Sequence, residues 1–189
     1  MMINKHDIKN IIEHCMKSNS NLTITRKKNI DKNELYGIPI AMSTKLLALK
    51  YLYDFEQDGY MVIRMKDIVK VCHGEIEKYH DKILIGENIA IKNSYENIAV
   101  NNWKTFLRYI STKVNLINIS EKFKDDPKYD GLIIGKIEST QDNDMNIFEI
   151  DPLGRWKKEP TVVYYEDIIS VHFDSRYSEM LFKYREEFS

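Results

Sequence analysis

The segment DNDMN at 142–146 sets Asp142, Asp144 and Asn146 at the alternate spacing with which a calcium loop begins. Such a loop next needs a glycine for its sharp turn and a glutamate to close it. Those positions hold Ile147 and Leu153, so the segment reads as a polar hairpin turn. Of the five histidines, His6, His14, His73, His80 and His172, only His73 and His80 are close enough in sequence to share a helix face. No acidic pair at ligand spacing joins them, and His73 and His172 read as half-exposed residues at strand ends. No serine, cysteine or threonine stands in a nucleophile elbow, and seven scattered glycines form no phosphate-cradling loop. No acid–base pair stands out by spacing. The sequence therefore points away from an enzyme and implies no cofactor and no metal. An enzyme whose site assembles only in space is the remaining catalytic alternative.

Binding chemistry is better represented. Arg155, Trp156, Lys157 and Lys158 form one cluster between Gly154 and Glu159-Pro160. Tryptophan and arginine are favoured at binding hot spots, and an indole among cations can stack on a base while its neighbours meet phosphate. The same loop can equally fold its tryptophan back onto its own domain. A second basic run, Arg26-Lys27-Lys28, reads as a solvated strand end, and Asp125-Asp126 before Pro127 as a solvated turn.

Those residues must be positioned by ordinary globular elements. Hydrophobic residues make up 43% of the 189 positions and charged residues 30%, enough to bury a core. Lys and Arg number 28 against 29 Asp and Glu, so no overall field draws the chain to nucleic acid or to an anionic membrane. Cys15 and Cys72 are too isolated for a disulfide framework and read as small buried hydrophobes. The amino terminus lacks the apolar run of a signal peptide, and no window suits a membrane span. The expectation is a cytoplasmic protein.

Ile8, Ile11, Ile12, Cys15 and Met16 follow the spacing of one buried helix face, with Asn4 as N-cap. Leu22 and Ile24 alternate with Thr23 and Thr25 as in a half-buried strand. Strands are expected at 36–42, 45–53 and 60–72, with a tight connection at 54–59 in which Asp58-Gly59 is the hairpin signal, and a bend near Lys66-Asp67. A helix begins at Glu75. Residues 86–102 show no clear period and read as a connection. Trp103, Phe106, Leu107 and Ile110 mark the next helix. Strands follow at 114–120, 129–140, 145–151 and 161–173, then a helix from Arg176 with Tyr177, Met180, Leu181 and Tyr184 on its apolar side.

The two halves share this order. Asn21-Leu22 recurs as Asn115-Leu116 and Gly37 as Gly131, both 94 positions later, while Asp67-Ile68 recurs as Asp167-Ile168 after 100. The difference of six falls where RWKKEP (155–160) interrupts the second copy. A helix before five short strands, with IRMKDIVKV at 63–71 as a β-branched strand, a charged corner and a second β-branched strand, resembles the Sm-like fold. It also resembles a type of small bacterial protein of unknown function with a D-x-x-G turn before a DI strand.

The resemblance implies an α+β, mainly β protein of two tandem, strongly bent five-stranded barrels, each with an N-terminal helix. The first repeat is 1–85, the connection 86–102, and the second repeat 103–189 with its C-terminal helix. It also implies ring assembly or RNA binding. Its RNA-binding members carry Arg-Gly at the corner; here the corners are Arg64-Met65-Lys66-Asp67 and Tyr164-Tyr165-Glu166-Asp167, both read as facing outward. The leading expectation is a non-enzymatic binding or adaptor module acting through a protein partner or self-association. The alternative is an RNA- or nucleotide-binding protein that uses Arg155, Trp156, Lys157 and Lys158.

Overall fold

The computed structural model describes residues 5–30, 33–95, 97–122 and 130–185. Asn4 and the Asp125–Pro127 turn lie outside them. The periodic apolar face near the amino terminus folds as helix α1 (Lys5–Ser18), with Ile8, Ile12 and Cys15 buried. Strands β1 (Leu22–Arg26), β2 (Leu35–Met42), β3 (Leu46–Tyr53) and β4 (Glu56–Arg64) follow. A single 3₁₀ turn, Met65–Asp67, forms the expected bend and leads into β5 (Ile68–Cys72). Helix α2 (Glu75–Gly86) closes the first half.

The second half opens with α3 (Trp103–Ile110), whose first turn is capped where Asn102 Oδ1 accepts from the Thr105 amide at 2.9 Å. Strands β6 (Ile117–Lys122), β7 (Asp130–Thr140), β8 (Asp144–Glu149), β9 (Thr161–Tyr164) and β10 (Ile168–Phe173) come next. The last element is α4 (Arg176–Lys183).

All ten strands belong to one antiparallel sheet in the order β5-β1-β2-β3-β4-β10-β6-β7-β8-β9. The mainly β, α+β class is as expected, but the two closed barrels are not formed and the sheet is open. The outer edge of β4 bonds to the other half's β10, Tyr60 opposite Phe173 and Val62 opposite Val171, and not to a strand of its own half. Each half nevertheless has the same internal order: fifth, first, second, third, fourth strand. The two Asp-Ile phrases take the same place in it. The Asp67 carbonyl accepts from the Lys27 amide at 2.9 Å, and the Asp167 carbonyl from the Lys122 amide at 3.1 Å.

The glycine correspondence moves. Gly37 lies opposite Leu22, the first residue of β1, and it is Gly135 that lies opposite Ile117, the first residue of β6. A Cβ at Gly37 would come 2.5 Å from the Lys50 carbonyl oxygen, and one at Gly135 would come 2.2 Å from that of Phe148. Both are places where neighbouring backbone approaches too closely for a side chain.

The expected Asp58-Gly59 turn also moves. Asp54 and Phe55 are the two loop residues between β3 and β4, both with positive φ (49° and 64°), the pattern of a type I′ hairpin. Gly59 instead lies within β4 at φ 70°, where a Cβ would meet the Phe173 carbonyl oxygen at 2.3 Å. Its lack of a side chain lets the halves join.

One large core crosses that join. Ala48, Tyr60 and Val62 from the first half pack with Phe106, Ile119, Ile147, Val171 and Phe173 from the second. A smaller core lies between α1 and its sheet, around Ile12, Leu22 and Leu47. Beyond Gly86, which ends α2, the connection through residue 102 has no helix or strand among its described residues, yet Ile98 and Val100 are buried in the large core. Its backbone is tied down by Tyr60, whose hydroxyl donates to the Lys92 carbonyl at 3.0 Å and accepts from the Ser94 amide at 2.9 Å.

Of the expected apolar side of helix α4, only Leu181 is partly buried. Tyr177, Met180 and Tyr184 are exposed, while Ser178 is buried and its hydroxyl donates to Asn118 Oδ1 at 2.7 Å. A short polar anchor, with the Ser175 side chain capping the Ser178 amide at 3.2 Å, sets the face of this two-turn helix.

Candidate functional site

The cationic loop is folded onto its own strands. Arg155 Nη2 pairs with Asp151 Oδ2 at 2.7 Å and Lys157 Nζ with Glu149 Oε1 at 2.7 Å. The Trp156 backbone bridges to Ile150, and its indole is half-buried. Arg155, Lys157 and Lys158 are exposed. Asp151 is held below the usual carboxylate range by its hydrogen bonds from Arg155 and Leu153. The four residues are adjacent, but two of the three cations already face carboxylates, so an anionic ligand would have to compete with those.

The other sequence candidates separate. Gln141 N donates to the Asp144 carbonyl at 2.8 Å, closing the hairpin turn read from DNDMN, and Asp142 pairs with Lys104. No group of three His, Cys, Asp or Glu able to hold a metal ion occurs among the described residues. His73 Nδ1 bonds the Asn21 carbonyl at 2.8 Å, and His172 Nε2 bonds the Asp58 carbonyl at 2.6 Å. His80 stands against Phe55 and Tyr36, far from a shared face with His73. Cys15 is buried as expected and Cys72 partly so; burial first, then the charges of Asp81 and Glu77, push the Cys15 thiol up to about 11. Arg26 is buried, not solvated. No helix among the described residues is long and apolar enough to cross a membrane.

A site with several cations lies at the seam between halves, where the two repeated corners meet. Arg64 was expected to face outward, but it is 5% exposed. Its Nε donates to Asp67 Oδ2 and its Nη1 to the Glu166 carbonyl at 3.4 Å, tying the first corner to the second. Its Nη2 is buried without a hydrogen-bond partner among the described residues. A cleft of about 470 Å³ opens here. Lys45, Lys66 and Lys104 line it with Arg64, Trp103 and Tyr165, and so do the carboxylates of Asp142, which pairs with Lys104, and Glu166. The sequence held the residues but not their convergence, because the lysines come from the β2–β3 loop, the 3₁₀ turn and α3.

The sheet's two ends form a different kind of site. Among the described residues, strand β5 bonds only to β1, and β9 only to β8. Val69 on β5 and Val162 on β9 are exposed. Such edges present unpaired backbone donors and acceptors to any strand laid beside them.

No family model matches the chain, and neither does any curated protein or solved structure.

Proposed function

We propose that the chain is a non-enzymatic binding module that acts through protein–protein contacts at its sheet edges, with a second copy of itself as the partner. The carrying observation is the β4·β10 seam. There the fourth strand of one half pairs with the fifth strand of the other, leaving a fifth strand, β5, and a fourth strand, β9, at the two ends of the sheet. Laying β9 of one copy against β5 of the next would repeat that seam between molecules. Such a head-to-tail contact closes into a ring or extends as a filament, according to the rotation per copy. On this reading each half is a bent Sm-like unit, and the open sheet is two units of a larger assembly.

Light scattering across a protein concentration series should give a mass that is a multiple of 22.4 kDa. Val69→Lys on β5 or Val162→Lys on β9 should each return the chain to a monomer, because an edge lysine obstructs strand addition. A wild-type chain that is monomeric throughout the series would remove the basis of this reading.

The cleft at the seam favours a second reading, binding of RNA or of a nucleotide-like phosphate ligand. It differs from the sequence expectation in its residues: Arg64, Lys45 and Lys66, with Trp103 and Tyr165 as stacking walls, in place of the 155–158 loop. Affinity for single-stranded RNA should then fall steeply with salt. Lys45→Glu with Lys66→Glu should abolish it, and Trp156→Ala or Lys157→Ala should leave it unchanged. Loss through the loop variants alone would return the site to 155–158.

A further inference from the structure

A second cleft of about 470 Å³ lies between the start of β2, the β3–β4 hairpin and α2. Its charge differs from the seam's. Glu34 and Asp54 are its charged lining groups, and no lysine or arginine lines it among the described residues. Tyr36 and Phe55 enter it as partly exposed rings. His80 of α2 stands between them, its ring centroid 5.1 Å from that of Phe55 and 6.4 Å from that of Tyr36. The surrounding charge is also negative. The Tyr36 phenol is pushed up by burial first, then by Glu34 and by Glu77 on α2.

Two features of this cleft are unexplained by folding. Asn21, 1% exposed, is among its lining residues, and its buried Oδ1 acceptor has no hydrogen-bond partner among the described residues. A buried acceptor without a donor is costly unless something supplies one. Phe55 holds φ 64° at the second loop position of the hairpin, where glycine is favoured and a bulky side chain is strained. Strained residues of this kind cluster where a side chain must be presented to a ligand. Here the strain directs a phenyl ring at His80 and the cleft.

We infer that this cleft is a binding site for a primary alkylammonium cation, with its N–H donors on Glu34 and Asn21 and its alkyl stem against Tyr36, Phe55 and His80. Carboxylates supply the counter-charge, aromatic faces attract the cation, and the orphan acceptor selects a cation with N–H donors over one fully methylated. A free amine and a lysine side chain share this chemistry.

The test is calorimetric and NMR titration of the full chain with four probes. These are butylammonium, lysine capped at both backbone ends, its Nε-trimethyl form and its Nε-acetyl form. Primary ammonium probes should bind, shifting the ring signals of Tyr36, Phe55 and His80. The trimethyl probe should bind at least tenfold more weakly, and the neutral acetyl probe should not bind. Equal affinity for butylammonium and capped lysine assigns a free amine, and preference for capped lysine assigns a protein side chain.

Phe55→Gly separates binding from folding. Glycine suits the hairpin position, so the melting temperature should hold or rise while affinity falls at least tenfold. Glu34→Gln should lose a similar factor. Unchanged binding in Phe55→Gly, equal binding of the acetyl probe, or no binding of either primary ammonium would overturn the inference.

Discussion

Replacing Asp67 with alanine should lower the unfolding free energy by about 3–5 kcal/mol, the range found when one partner of a buried ion pair is removed. Asp67 is 3% exposed and receives the Arg64 Nε hydrogen bond, with Lys27 Nζ 3.9 Å from its other oxygen. Without it the Arg64 guanidinium keeps, among the described residues, only its long bond to the Glu166 carbonyl, and its Nη2 has no partner among them. A buried, uncompensated charge drives the loss, more than the absent contact itself. The double replacement Arg64→Met with Asp67→Leu should therefore recover most of the deficit, since well-packed apolar residues often match a buried pair. Urea unfolding of the three variants decides this, read as a change in midpoint at constant slope. A loss below about 1 kcal/mol in Asp67→Ala would mean that Arg64 swings to solvent and that the pair does not fasten the seam.

Phe173→Ala should cost about 3–5 kcal/mol, as expected when a fully buried phenylalanine leaves a cavity. Its ring stacks on Tyr60 at 5.5 Å and 14°, meets Tyr95 edge-on at 5.4 Å, and touches Phe106 at 5.8 Å. Those partners come from β4, the connection and α3, so one ring holds elements from both halves and the segment between them. The variant should still unfold in a single transition, at lower temperature, by calorimetry. Two separated transitions, only one of them shifted, would show that the halves unfold independently despite the shared core.

Much of the secondary structure was legible because it follows from periodicity. The α1 and α3 stripes fold as the spacing requires, and β1 is a strand, although Thr23 is buried along with Leu22 and Ile24 and does not alternate to solvent. Barrel closure was not legible, because a strand's sequence says that it pairs but not with which neighbour, and β4 found β10. Within the expected 54–59 connection, the turn was placed at the wrong pair for a definite reason. Turn chemistry favours Asp-Gly, and Asp58-Gly59 was only four residues away, while the real turn carries the disfavoured phenylalanine. The apolar side of α4 failed similarly, since a two-turn helix is oriented by a few anchors and here they are serines.

Among the candidate sites, the 155–158 cluster was visible because it is contiguous, although Asp151 and Glu149 engage its cations. The seam and the acidic cleft were invisible because each draws single residues from several elements. A buried arginine such as Arg64 also looks, in a sequence, like any surface arginine.

The paired backbone bonds at Asp67 and Asp167 have a wider consequence. The two halves keep the same carbonyl in the same bond, yet Asp67 is buried beside Arg64 while Asp167 is only half-buried. What the halves hold in common at this corner is main chain, which every residue except proline can supply. Mutational drift can therefore rewrite most of the letters there without disturbing the bend. Likeness between such units should outlast recognisable spelling and be sought in register and dihedral angles, not in aligned residues.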